Sequence, residues 1–200
     1  MFNSGVKAAD LIERIKDEAD VAIPIPDISY IMWLNSVEQL LYTELIQEQG
    51  EITVANVSGN VIDISSLTVP KDEEAVRFED IHAIYADNTQ LIESTLASGV
   101  IFPNTYYKVR NNIGLNLKKQ PQAIKIIYFV RPVLKTEANA SGEFVKVPPE
   151  FIELVKAKLR GEAYKVANED NLAAKWINDY NVLLETFKMW IQGKQSEFGL

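Results

Sequence analysis

The sequence predicts a mainly α-helical fold that also contains β structure: a four-helix bundle, with two N-terminal and two C-terminal helices, that carries an inserted β-sheet or arm. Apolar residues recur every three or four positions near both ends of the chain, which is typical of amphipathic helices. In the middle they alternate with polar residues, which is typical of strands. We therefore expect residues 1–50 and 147–193 to form the bundle, residues 51–134 an inserted β domain, and residues 194–200 a C-terminal tail.

Two helices are predicted before residue 50. Ser4 is placed to cap a first helix over residues 6–19, whose apolar face includes Leu11 and Ile15. After a proline-containing extended link, Asp27 is expected to cap a second helix, and Gly50 to end it.

The first predicted strands follow Gly50. Residues 52–54 alternate in polarity, residues 58–60 favour a turn, and residues 61–64 read as the returning strand. A further strand is expected over residues 77–85, with Glu79 and Asp80 on its opposite faces.

Three later segments complete the predicted β domain. A hairpin is expected with Asn111-Asn112 at its turn. The strongest strand covers residues 123–131, where both alternating sets are largely apolar, so we expect it to be central in its sheet. Pro132 is expected to end it.

The C-terminal helices follow a polar linker over residues 135–147. Helix is expected to return at Val147-Pro148-Pro149-Glu150, because proline is well tolerated at a first helical position. Asn168 is expected to cap the last helix, and Gly193 to end it. The expected core joins an aromatic stripe of this helix to stripes of the other helices: Trp176, Tyr180, Leu183 and Phe187 against Phe151, Val155 and Leu159, and against Ile31, Leu34 and Leu41.

Charge is unevenly distributed along the chain. The formal net charge is −8; residues 1–100 carry 5 Lys/Arg against 18 Asp/Glu, and residues 101–200 carry 15 against 10. An acidic chain is not expected to grip nucleic acid by neutralising phosphates. The two halves would suit contact between neighbouring copies, or they are ordinary solvated faces.

Residues for catalysis are scarce. The chain has no cysteine and a single histidine, His82, which is expected to be an ordinary strand residue. No Gly-x-Gly phosphate loop and no Gly-x-Ser-x-Gly elbow occur. We therefore expect no enzymatic activity, no cofactor and no metal site. No N-terminal signal peptide and no 18-residue apolar run is visible, so no membrane span is expected.

Three motifs, taken in order, resemble one protein family. They are Tyr30-Ile31-Met32-Trp33-Leu34-Asn35 in the second helix, the strand residues 124–132, and Val147-Pro148-Pro149-Glu150-Phe151 at the start of the third helix. This layout is similar to the head–tail adaptor proteins of tailed phages, including the tail tubular protein A type, over nearly the whole chain. The resemblance implies a non-enzymatic virion structural protein of the neck, made in the host cytoplasm.

The same resemblance implies the partners. Copies would form a ring, typically of twelve, between the capsid portal protein and a downstream tail tube, nozzle or stopper protein, and DNA would pass through the channel without specific binding. The tail would reach the portal, with Lys194, Phe198 and Leu200 as contact residues. The alternative for this segment is a frayed terminus.

Two other functions stay open at this point. A tail completion or baseplate protein would share the acidic, non-catalytic character, but on a six-fold tail it would give six copies. A small hydrolase or carbohydrate-binding β-module would need a deep polar pocket with converging carboxylates.

Overall fold

A computed structural model describes residues 1–55, 59–94 and 102–198, for the last four of these the backbone only. Over these residues the chain is a mixed α/β protein with four α-helices and two four-stranded sheets. It divides into two compact units, which we call the helical unit, Met1–Ile46 with Pro132–Leu200, and the β unit, Gln47–Arg131. The division falls three to four residues before the expected boundaries of 51 and 134.

The helical unit is built from both ends of the chain. α3 packs along α4 and also contacts α1 and α2. A π-helical segment, Leu41–Ile46, extends α2, and a 3₁₀ turn, Pro149–Phe151, leads into α3. The helices are α1 (Ala8–Ala19), α2 (Asp27–Leu40), α3 (Ile152–Val166) and α4 (Asp170–Phe198).

The predicted helical core is confirmed. Its apolar stripes meet in one cluster of buried side chains, in which Phe187 and Leu34 are fully buried. Trp176 and Leu183 are partly buried against the cluster, which matches the core role predicted for the aromatic stripe of α4. The predicted members that the cluster buries are Ile31, Leu34, Leu41, Phe151, Val155, Leu159, Tyr180 and Phe187.

The predicted helix signals before residue 50 were wrong in detail. Ser4 lies upstream of α1, where its hydroxyl accepts the N–H of Val6 at 3.1 Å instead of capping the helix. Helical structure ends at Ile46 rather than at Gly50, because Gln47 turns the chain with a φ of 49°. Gly50 lies inside the first strand.

The segment over residues 135–147 is not a solvated linker. Val145 exchanges backbone hydrogen bonds with the N-terminal segment, accepting from Ser4 at 3.0 Å and donating to Val6 at 2.9 Å. The Ala8 N–H also donates to the Glu143 carbonyl at 2.9 Å. The side chain of Val145 is fully buried, so this part of the chain belongs to the helical core in spite of its polar composition.

The last two helix signals also act differently from the prediction. Asn168 has a φ of 59° and lies in the turn between α3 and α4, and α4 begins at Asp170. Gly193 does not end α4, which continues to Phe198. The expected C-terminal tail is therefore helical over the whole of its described length, residues 194–198.

The β unit holds both sheets. The first has the strand order β1-β8-β3-β4 and the second β2-β7-β6-β5. All neighbouring strands are antiparallel except β5 and β6. The strands are β1 (Gln49–Ala55), β2 (Val61–Asp63), β3 (Ile81–Ala86), β4 (Thr89–Gln90), β5 (Ile92–Glu93), β6 (Thr105–Val109), β7 (Asn112–Asn116) and β8 (Ala123–Phe129).

The expected pairing of the first two strands was wrong. β2 does not return along β1; it pairs with β7 in the second sheet, whereas β1 pairs with β8 in the first. Of the expected turn at residues 58–60, the structure describes Gly59 and Asn60, and residue 58 lies outside the described residues. Gly59 has a φ of 94°. The strand predicted from residue 77 begins at Ile81, because Phe78–Asp80 forms a 3₁₀ turn. Glu79 and Asp80 therefore do not lie on opposite faces of a strand.

Two other β predictions hold. β6 and β7 form the expected hairpin, with Val109 opposite Asn112, so its turn is Arg110-Asn111, one residue earlier than predicted. Arg110 takes the positive φ of 53° that this tight connection needs. β8 is central, between β1 and β3, as its two apolar faces predicted.

Candidate functional site

The residues predicted to contact a portal lie at the end of α4. Among the side chains that the structure describes, Ile191 is the last of this helix in the buried core, and Gln192, Gly193 and Lys194 are all exposed. At 1.5 Å per residue, the seven residues that follow Ile191 continue the helix for about 10 Å to Phe198. The side chain of Phe198 and all of Leu200 lie outside the described residues.

An aromatic cluster lies beneath this extension. The Trp190 ring stacks on Phe187 at 5.9 Å and meets Phe151 edge-on at 5.4 Å, measured between ring centroids. Phe2 approaches Trp190 at 5.8 Å, and the Lys194 ammonium lies 6.0 Å from the centre of the same ring. The extension is therefore anchored at its base by rings from three parts of the chain and by one cation–π contact.

The prediction that Gly193 ends the last helix was wrong, because a glycine ends a helix in this way only when it takes the left-handed conformation. Gly5 and Gly59 are the glycines with positive φ in the described residues, so Gly193 keeps an ordinary helical backbone. No atom lies within 4 Å of the place that a Cβ would occupy at Gly193. Packing therefore does not require glycine here, and the residue weakens the helix at the point where it leaves the core.

A row of polar side chains on α2 holds the segment that enters the helical unit from Pro132. Asn35 makes two hydrogen bonds with the backbone of Lys135, donating to its carbonyl at 2.8 Å and accepting its N–H at 2.9 Å. Gln39 donates to the carbonyl of Pro132 at 3.1 Å. Asn35, the last residue of the first family-like motif, thus has a structural task in this chain.

Glu38 is the buried member of the same row. Its carboxylate forms an ion pair with Lys135, whose side chain is 0% exposed, and accepts the backbone N–H of Lys146 at 2.7 Å. Burial raises the pKa of Glu38, and the charge of Lys135 opposes that rise. The sequence did carry a sign of this buried carboxylate. Glu38 lies four residues after Leu34 and three before Leu41, so it shares the apolar face of α2 with them.

His82 lies where the sequence placed it, on a strand. Its exposed ring packs 5.1 Å from the ring of Phe129. It also borders a cavity of about 510 Å³ that Glu93 and Tyr106 help to line. The Glu93 carboxylate accepts the Tyr106 hydroxyl at 3.1 Å and lies 3.4 Å from the Lys108 ammonium.

The described residues that line this cavity do not form a carboxylate pair. Burial and the neighbouring Glu93 raise the pKa of Tyr106 to about 12, so the phenol stays protonated. Glu93 is the one carboxylate among the described lining residues, and it is already engaged by two partners. Proton transfer between two carboxylates would need a second one in reach.

The acidic and basic halves of the sequence meet within a single chain. Half of the ion pairs found among the described residues join an acid from residues 1–100 to a base from residues 101–200. They include the buried Glu38–Lys135 pair, Asp80 with Arg131 at 2.5 Å, and Glu18 with Arg160. The charge asymmetry therefore has a role in folding, whether or not copies also meet through it.

Comparison with known proteins adds no family assignment. No protein-family model matches the sequence, and no curated protein matches it closely enough to count as a relative. In the described part of the chain, no helix is both long and apolar enough to cross a membrane. Across the same residues, no group of three or more His, Asp or Glu side chains is arranged to hold a metal ion.

Proposed function

We propose that this chain is a virion structural protein, a head–tail adaptor whose copies form a ring between a phage's capsid portal and its tail. In this proposal the helical unit is a four-helix bundle around the DNA channel, and the β unit is an inserted arm that faces the tail side or a neighbouring copy. The observation that carries it is α4, whose seven residues after Ile191 form a helical extension anchored on the aromatic cluster.

The extension is the portal contact in this proposal. Lys194, Phe198 and Leu200 are its contact residues, in the manner of a helix that lays its apolar side chains into a groove. Because the backbone is already helical to Phe198, docking has less chain to order than a frayed tail would require. A ring presents all of its extensions at once, which multiplies a weak single contact.

The net charge of −8 supports the channel role. An acidic wall repels the phosphates of a passing genome, so DNA slides through without adhering. This needs no base-specific contact and agrees with a chain whose basic residues are largely balanced by acids.

The test is to co-purify the full chain with the portal protein of the same phage genome and to count copies by particle imaging. We expect twelve copies on each portal ring. Six copies on a tail component would indicate the alternative tail completion or baseplate function. Absence of any attachment to portal or tail would overturn the adaptor proposal.

A truncation locates the contact. Among the side chains that the structure describes, deletion of residues 194–200 removes only that of the exposed Lys194; it should leave the melting temperature unchanged while attachment to the portal is lost. Met189→Ala is the matched control, since Met189 is 65% exposed on the same helix and outside the extension. If the truncated chain still docks, the contact lies elsewhere on the helices.

A β-module that binds a small ligand is the second candidate, and the cavity beside His82 is the observation that favours it. Its single carboxylate is engaged, which places this candidate behind the adaptor. A glycan array would decide: saturable binding that is lost in Glu93→Gln and Tyr106→Phe, but retained in Glu51→Gln, would favour the β-module.

A further inference from the structure

β1 is an unusually open sheet edge. Among the described strands that end a sheet, β2, β4 and β5 are two or three residues long, whereas β1 has seven. Short edge strands are one way in which proteins block unwanted pairing; lysine, proline and β-bulges are others. β1 contains no lysine or proline, and its register with β8 runs without a bulge.

The outward-facing backbone groups of β1 can be identified. The Val130 N–H donates to the Glu48 carbonyl at 2.8 Å, and in the register that follows, hydrogen-bonded pairs recur at every second residue. Gly50, Ile52 and Val54 therefore bond to β8. Their neighbours point N–H and C=O groups away from the sheet, and all four are exposed: Gln49, Glu51, Thr53 and Ala55.

The apolar row of this strand is incompletely covered. Ile52 and Val54 are half-buried, whereas their register partners Ile126 and Ile124 are fully buried. The edge thus combines free hydrogen-bonding groups with β-branched side chains that one more strand would cover.

We propose that two copies of this chain pair antiparallel through their β1 edges, with Ile52 of each copy opposite Ile52 of the other. In this register Gln49 faces Ala55 and Glu51 faces Thr53, so the outward backbone groups of all four residues meet their counterparts. Sliding one β1 strand by two residues along the other would leave five opposed residue pairs instead of seven. In one of the two directions, the slide would also place Glu51 opposite Glu51 of the other copy, which brings like charges together.

Charge also favours this register. Each Glu51 is already paired with Lys125 at 3.2 Å in its own sheet, and across the new ladder it meets an uncharged threonine. The two Ile52 side chains meet as a β-branched pair at the two-fold axis, which is a favourable cross-strand combination.

This pair is independent of the proposed ring. A cyclic ring has no two-fold axis between neighbouring copies, so the β1 pair is a state of the free protein. Its effect is to cover the long edge, which would otherwise be a template for aggregation, until the protein is assembled.

A cysteine placed at the two-fold axis tests the register, because the chain has no cysteine of its own. Directly opposed residues of this kind have Cα atoms about 4.5 Å apart, which suits a disulfide. Ile52→Cys should therefore form covalent dimers on mild oxidation. Val54→Cys is the control: the two introduced thiols would be offset by four residues, about 13 Å, and should stay unlinked.

Exposed Thr53 gives a second test that leaves the core untouched. Thr53→Glu sets two carboxylates opposite the two Glu51 and should weaken the dimer about tenfold in a sedimentation titration, whereas Thr53→Lys should not weaken it. Equal cross-linking of the two cysteine variants, no cross-linking in either, or equal dimer affinity in the lysine and glutamate variants would each overturn the proposal. Ring formation is measured in a different experiment, by counting copies bound to the portal. Any of these results therefore leaves the adaptor proposal unaffected.

Discussion

The phenol ring of Tyr128 lies across the bare Cα of Gly50, its register partner in β1. A Cβ at Gly50 would lie 2.4 Å from Cζ of that ring, and the same placement brings the Tyr128 hydroxyl to 2.6 Å from the Glu73 carboxylate. Gly114 and Tyr107 repeat the arrangement in the second sheet, where a Cβ would meet the ring at 2.1 Å. In each sheet, a tyrosine ring therefore packs over a glycine of the neighbouring strand, in space that a larger residue would fill.

Gly50→Ala tests this arrangement directly. The new methyl group must push the Tyr128 ring aside, which costs its hydrogen bond to Glu73 and forces repacking. We expect a loss of about 1–3 kcal/mol in the free energy of unfolding, measured by urea titration. An unchanged midpoint would mean that the ring moves freely.

Gly193→Ala is the opposite case and serves as the control for Gly50. An added methyl group meets no neighbour, and alanine favours helix over glycine by about 1 kcal/mol. We expect a small gain in helicity by circular dichroism and, under the adaptor proposal, tighter portal attachment. A loss of attachment would show that the extension must bend at Gly193.

Glu38→Gln should be strongly destabilising. It leaves Lys135 buried without its counter-charge, which costs about 3–5 kcal/mol in comparable cases. Glu51→Gln, which breaks the exposed pair with Lys125, should cost at most about 1 kcal/mol. Adding Lys135→Met to Glu38→Gln should restore much of the loss; if it does not, the uncompensated charge of Lys135 is not the cause of the destabilisation.

Phe187→Ala tests the helical core. Phe187 is fully buried between Phe151 and Trp190, so we expect a loss of about 3–5 kcal/mol in the free energy of unfolding. Met189→Ala, two residues later on an exposed face, should stay within about 0.5 kcal/mol. A loss below about 1 kcal/mol at Phe187 would contradict the role of α4 as core.

Tyr106 predicts a pH dependence at alkaline pH. Its pKa is raised to about 12 in the fold, against an ordinary value of 10.0, so the folded chain holds this proton more tightly than the unfolded chain. The stabilisation is complete below pH 10 and is lost as the pH rises towards 12. Tyr106→Phe should make the stability profile less steep over that window, as followed by urea titration and by tyrosinate absorbance; the raised pKa values of Tyr30, Tyr128 and Tyr180 leave a remaining slope of the same sign.

Short-range patterns predicted the helical core well. The stripes of α3 and α4 identify their buried residues because helical periodicity alone decides which side chains share a face. The same reasoning identified β8 as central, since a strand with two apolar faces needs cover on both.

Long-range partners were less accessible to such reasoning. A turn at Gly59 is consistent with a hairpin. However, β1 and β2, on either side of it, pair with strands more than 45 residues away in sequence. The polar composition of residues 135–147 concealed backbone bonds to the N-terminal segment that no local pattern encodes. Glu38 was overlooked for the same reason, because its partner Lys135 lies 97 residues later.

The placement of the β unit between the two parts of the helical unit fixes an order of events during synthesis. Residues 47–131 are complete in sequence while α1 and α2 still lack α3 and α4. Asn35 and Glu38 must wait for partners 100 and 108 residues downstream. We therefore expect the β unit to fold on the ribosome first, and the N-terminal helices to expose their apolar faces to chaperones until α4 emerges.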